Sequence, residues 1–161
     1  MVIIVMGVAG SGKTTVGRCL AETLGWPYCE GDDLHPTANL QKMAAGIPLT
    51  DADRLPWLRE LRRRIEGCIA ARENAVIACS ALKESYREIL AGGLDEVHFV
   101  HLTGSPELIR ERLAHRTGHF MKAGMLDSQL AALEPPADAV AVDVAGSPEE
   151  IVTEIRGRLG V

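Results

Sequence analysis

The feature that most narrows what this chain can become lies at its start, where the apolar run Val2-Ile3-Ile4-Val5-Met6 meets a glycine-rich loop with nothing between them. A strand with no polar position in its pleat is buried on both faces, and such strands belong to parallel sheets covered by helices. The loop, Gly7-Val8-Ala9-Gly10-Ser11-Gly12-Lys13-Thr14, fits the pattern GxxxxGK[ST]. From Lys13 onward Val16, Leu20 and Leu24 recur at helical spacing, and Gly25 supplies a C-terminal stop. Strand, glycine loop and helix in that order form a phosphate cradle, because backbone N–H groups turn inward and the positive end of the helix adds to the attraction for an anion. Gly7, Gly10, Ser11 and Gly12 then shape the loop, Lys13 reaches the β- and γ-phosphates of a nucleotide, and the Thr14 hydroxyl faces Mg²⁺.

The rest of the chain keeps alternating. Short strand candidates at 27–30, 75–79, 97–102 and 139–143 are separated by helical patterns at 37–46, 55–72, 83–91, 105–115, 124–133 and 148–159. That alternation predicts an α/β fold with a parallel sheet. In the helix from Leu55, the residues Leu58, Leu61, Ile65 and Ile69 make one apolar stripe, and Arg59, Arg62, Arg63 and Glu66 read as a solvated face. At 161 residues, with no internal repeat or long linker, the chain is expected to be a single domain, residues 1–161. Two stretches fit no layer, 35–53 and 115–128, and both read as excursions over a site.

Composition removes several classes of function. A formal charge of −5 and few aromatic residues argue against a nucleic-acid partner, and no apolar run approaches the roughly 20 residues of a membrane span. Cys19, Cys29, Cys68 and Cys79 form no CxxC pair and sit in apolar patterns, so buried free thiols in a reducing cytoplasm are expected. His98 and His101 fall in a strand candidate with no matching ligand set.

Binding a nucleotide leaves open what is done with it. Motor and switch proteins carry an acid after a later buried strand to hold Mg²⁺, but here those strands end in Ser80 and in Thr103-Gly104. The acids come after the second strand, in Glu30-Gly31-Asp32-Asp33, which a parallel sheet places beside the phosphate loop. This favours phosphoryl transfer to a small acceptor, with Asp32 orienting its hydroxyl and taking the proton, Glu30 holding Mg²⁺ through a water, and Asp33 at the surface or capping a helix.

Several further blocks carry a resemblance. They are Gly10-Ser11-Gly12-Lys13-Thr14-Thr15, Gly31-Asp32-Asp33-Leu34-His35-Pro36, Asn39 through Lys42-Met43, and Gly46 through Leu58. Ala78-Cys79-Ser80-Ala81-Leu82-Lys83 with Tyr86-Arg87, and Gly118-His119-Phe120-Met121 with Ser128-Gln129, complete the set. Together they resemble the gluconate kinases, a branch of the small P-loop kinases related to shikimate and nucleoside-monophosphate kinases. The resemblance implies a three-layer P-loop nucleoside-monophosphate-kinase-like fold with a five-stranded parallel sheet, a lid, ATP and Mg²⁺ as cofactors, and commonly a homodimer. It also implies ATP-dependent phosphorylation of D-gluconate to 6-phosphogluconate. The family has Asp where this chain has Glu30, which leaves Glu30 a water-bridged metal role.

Gluconate carries a carboxylate at the end opposite its reacting hydroxyl, so a cation is expected at the far end of its site. Arg54, Lys83 and Arg87 are the candidates, with Arg54 and Arg87 ahead because guanidinium grips a carboxylate through two bonds. His35 and Tyr86 are candidates for hydroxyl contacts. Arg112 and Arg116, four residues apart on one helical face at the start of the lid, would neutralise the moving phosphoryl group, Arg116 being the stronger choice. His119 is a candidate lid contact, Thr15 joins the cofactor-binding loop, and 143–148 is a candidate adenine-side loop. The rival readings are a shikimate or other sugar-acid kinase, and a regulatory module that binds ATP without transferring phosphate.

Overall fold

The computed structural model describes residues 1–115 and 123–161, with 123–125 described by backbone alone. The chain runs β1 (Val2–Met6), α1 (Lys13–Leu24), β2 (Tyr28–Glu30), a 3₁₀ turn (Gly31–Leu34), α2 (Thr37–Ala44) and α3 (Asp51–Ala71). It continues through β3 (Ala75–Ala78), α4 (Glu84–Ala91), β4 (Val97–Thr103), α5 (Pro106–Ala114), α6 (Ala123–Ala132), β5 (Val140–Asp143) and α7 (Pro148–Leu159). The five strands form one sheet in the order β2-β3-β1-β4-β5, and every pairing is parallel.

The buried run at the N-terminus is the middle strand, and its period of two sorts it between two cores. Val2, Ile4 and Met6 pack with Trp57, Leu58, Leu61 and Ile65 of α3 and with Tyr86 and Leu90 of α4. Ile3 and Val5 face the other way, against Val16 and Leu20 of α1 and Ile151, Val152 and Ile155 of α7. All five β1 residues are fully buried, each such side chain contributing about 1.5–3 kcal/mol by removal from water. Since β3 and β4 flank β1 on opposite sides, the crevice beyond the carboxyl end of β1 is the switch point where open parallel sheets bind ligands. The phosphate loop opens there.

Three expectations change. The long helix begins at Asp51, four residues before the expected start at Leu55. Thr50 caps it, accepting from Asp53 N–H while the Asp53 carboxylate accepts from Thr50 N–H. Arg62 is more than a solvated charge, since its Nη1 donates to Leu90 O at 3.2 Å and Gly92 O at 3.1 Å and so ties α3 to the end of α4. All four cysteines are free as expected, but only Cys68 and Cys79 are buried, Cys19 and Cys29 being partly exposed.

Candidate active site

Gly7, Gly10 and Gly12 all take positive φ, at 147°, 82° and 92°. This lets the loop curl back at the start of α1 without the strain a side chain would bring. Within the curl Ser11 N–H donates to Val8 O, and Lys13 Nζ also donates to Val8 O, at 3.0 Å, which folds the lysine over the loop. Ser11 Oγ is fully buried and, among the described residues, is the one sealed side-chain polar atom without a partner. A buried hydroxyl of that kind needs a hydrogen-bond partner, and an anion in the cradle suits it. Ala9 N–H is already taken, donating at 2.6 Å to Oε1 of Gln129 from α6.

Beside the loop, a cleft of about 500 Å³ is lined by Gly12, Thr15, Arg112, His115, Gly146 and Pro148. It brings the expected cofactor residues Gly10, Gly12, Thr15 and Arg112 next to part of the 143–148 loop. Arg112 pairs with neither Glu107 nor Glu111 among the described residues; its Nη2 donates to Val144 O. Arg116 and His119 lie outside the described residues, as does half of the expected lid at 115–128.

A second cleft, of about 430 Å³, lies against Lys13, Thr14, Glu30, Asp32 and Asp33. Thr14 Oγ1 donates to Glu30 Oε2 at 2.9 Å, and Tyr28 Oη donates to the same oxygen at 2.7 Å. Burial and the neighbouring Glu30 hold the Tyr28 phenol well above its ordinary pKa, so it stays a donor. A hydroxyl and a carboxylate at the edge of the phosphate loop are the hard oxygen ligands that Mg²⁺ takes beside phosphates.

On the side expected for the acceptor is a third cavity of about 170 Å³, where Lys13, Asp32, His35, Arg54, Trp57 and Gln129 converge. Asp32 is open to solvent at the cavity wall, yet the surrounding protein raises its carboxyl pKa, with Lys13 opposing the shift and Asp33 reinforcing it. His35 is buried and stacks on Trp57, ring centroids 4.3 Å apart. Burial and the nearby Arg54 push its pKa down to about 4. Trp57 Nε1 in turn donates to Gly31 O at 2.7 Å. Gly31 can hold that place only without a side chain, because a Cβ there would meet Ala78 O at 2.4 Å.

The segment 35–53 supplies the outer wall, and its residue spacing has a mechanical reason. Lys42 Nζ pairs with Asp53 at 2.7 Å, joining α2 to the first turn of α3, and with the Thr50 cap it holds the Asp53 carboxyl near 2. Met43, Ile47, Pro48 and Leu49 line the cavity. Lys83 and Tyr86 are brought to Asp51, the first residue of α3. Lys83 Nζ lies 2.9 Å from both Asp51 oxygens, and Tyr86 Oη donates to Asp51 while accepting from Arg54 Nη1 at 3.2 Å.

Arg87 does not reach this cavity. It is buried at the base of α4, where Nη1 donates to Ala81 O at 3.0 Å and Leu82 O at 3.1 Å. Ala81 has φ 41°, a conformation costly for a residue with a Cβ, and the guanidinium braces it. A buried arginine satisfied by backbone carbonyls is positioned to hold the loop that carries Ser80 into the cavity rather than to meet a substrate. Trp57, Asn39, Asp53 and Gln129 were not singled out by residue type, and the one sequence signal for them is their place in the blocks quoted above.

Comparison with known proteins points to one family. An AAA domain family model matches residues 2–136. A gluconokinase of Gluconobacter oxydans is 47% identical over 95% of this chain and 88% of its own length. The thermosensitive gluconokinase of Escherichia coli is 46% identical over 88% of this chain and 78% of its own. The chain belongs to the gluconokinase family. A crystal structure of a Sinorhizobium meliloti gluconokinase superimposes with a TM-score of 0.86 at 49% identity, covering 98% of this chain and 90% of that one. Shikimate kinase of Aquifex aeolicus, at 19% identity and a TM-score of 0.61, shares the fold. Membership in the gluconokinase family makes the protein an ATP-using kinase with a five-stranded α/β P-loop fold, as the sequence implied.

Proposed function

We propose that the protein transfers the terminal phosphoryl group of ATP to D-gluconate, giving 6-phospho-D-gluconate and ADP. The observation that carries this reading is the convergence of a cation from the phosphate loop, Lys13, with Asp32, His35 and Arg54 on one cavity. The loop's backbone N–H groups and Lys13 bind phosphate oxygens, and Lys13 exchanges its contact with Val8 O for them. Asp32 orients the acceptor hydroxyl and takes its proton as the new O–P bond forms and the bond to the leaving ADP oxygen breaks. Arg54 grips the carboxylate end, with Lys83 and Tyr86 behind it through Asp51. Arg112 and Arg116 add positive charge on the nucleotide side.

Thr14 and Glu30 are the residues that would hold Mg²⁺, and the ion supplies charge neutralisation between the phosphates. The kinase is tested by giving purified protein Mg-ATP with gluconate, glucose, shikimate and nucleoside monophosphates, and measuring ADP and product mass. Gluconate-dependent ADP release with a product heavier by one phosphoryl group is expected. Preference for shikimate would replace the acceptor assignment, and tight ATP binding without any transfer would favour a regulatory module.

A further inference from the structure

Asn39 sits on α2 between two acceptors, with Nδ2 2.7 Å from Asp53 O and 3.2 Å from His35 Nδ1. A backbone carbonyl only accepts, so the amide end facing Asp53 is the NH₂ group. That group has two hydrogens. One goes to Asp53 O, and the other points at His35 Nδ1, which therefore accepts. A neutral imidazole that accepts at Nδ1 carries its proton on Nε2. Turning the ring over would put a C–H against the amide N–H, and the stack on Trp57, with planes 13° apart, keeps the ring in its slot.

His35 lines the acceptor cavity, and its Nε2 has no partner among the described residues and is not sealed off, so it opens to the cavity. We infer that Asn39 is a positioning residue that fixes His35 as the Nε2–H tautomer, making it a one-way hydrogen-bond donor to an oxygen of the acceptor substrate. The charged groups sharing that cavity are Lys13 from the start of α1, Arg54 from α3 and Asp32 from the turn after β2. The two cations oppose a second positive charge on His35 and Asp32 favours one, while the Asn39 bond is lost if Nδ1 takes a proton. His35 therefore stays a neutral donor through the physiological range. This inference rests on the gluconate-kinase reading for the identity of the oxygen, though not for the tautomer.

Nitrogen-15 NMR of the histidine-labelled wild-type protein reads the tautomer without any substitution. The Nε2–H form is expected from pH 8 down to roughly pH 5. A wild-type His35 protonated on Nδ1 at pH 7 would overturn the inference. Asn39→Asp replaces the NH₂ by an oxygen of similar size that accepts from Nδ1–H and draws a proton there. With it, the spectrum should switch, the KM for gluconate should rise about tenfold with a smaller change in kcat, and that KM should gain a pH dependence near 7. A variant with lowered Tm but the wild-type tautomer and KM–pH profile would show Asn39 to be structural only. If wild type fails to phosphorylate gluconate at all, the proposed function falls while the spectrum still decides the tautomer.

Discussion

In the proposed reaction the nucleotide side of the crevice draws its phosphate contacts from one unbroken stretch, Gly7 to Thr14, largely through backbone N–H groups. The acceptor side takes Asp32, His35, Arg54, Ser80 and Gln129 from separate elements, and through side chains. The two meet at Lys13, which with Asp32 lines both. Backbone contacts tolerate variation in side chains around them and serve any triphosphate, whereas a wall assembled from distant side chains is where the choice of acceptor resides. Substitutions should accordingly divide into those that slow every transfer and those that change what is phosphorylated.

The largest effect is expected where the halves meet. Lys13→Ala should lower turnover about 1000-fold for every acceptor, the cost of losing one preorganised charge donor, with the circular dichroism spectrum unchanged. An effect confined to one acceptor would break the division. Next, Asp32→Asn should cost about 100-fold in kcat with ATP affinity retained. Because desolvation by the surrounding protein, with Asp33 reinforcing it, raises the Asp32 pKa, the wild-type acid limb of kcat/KM should lie above that of an ordinary aspartate, and it should vanish in the variant.

The same division explains what could be read without coordinates. The strand at Val2–Met6, the loop and α1 are contiguous, so periodicity and motif suffice for them, and the alternation of apolar runs carried the rest of the sheet to within a residue or two. The start of α3 was missed because its cap, Thr50, precedes the apolar stripe. Of the expected acceptor residues, Asp32, His35 and Arg54 line the cavity, Lys83 and Tyr86 stand behind Arg54 at Asp51, and Arg87 lies apart. An arginine that braces a strained backbone turn and one that faces a carboxylate are the same letter in a sequence. Only the fold shows which carbonyls lie beside Arg87.

That distinction is itself testable. Arg87→Met should lower stability by about 2 kcal/mol, through two carbonyl bonds lost, and leave the preference for gluconate over its amide intact. A smaller effect concerns pH. The unfolded His35 titrates near 6.5 and the folded one near 4. As pH falls below 6.5 the unfolded chain takes up the proton first, so this contribution to stability is complete above pH 6.5 and is lost progressively down to about pH 4. The Tm difference between wild type and His35→Gln should therefore shrink over that window, and a constant difference would place the neutral histidine elsewhere.

The most direct measurement is kcat/KM for gluconate and for its uncharged amide, on wild type and Arg54→Ala, with the KM for ATP recorded alongside. Arg54 lines the acceptor cavity and has guanidinium hydrogens beyond the one given to Tyr86. Wild type should prefer the acid by roughly 10- to 150-fold, the worth of one charge-assisted contact. Arg54→Ala should lose most of that preference while its KM for ATP stays at the wild-type value. An undiminished preference for the acid, or a KM for ATP that rises in step with that for gluconate, would contradict the separation of the two halves.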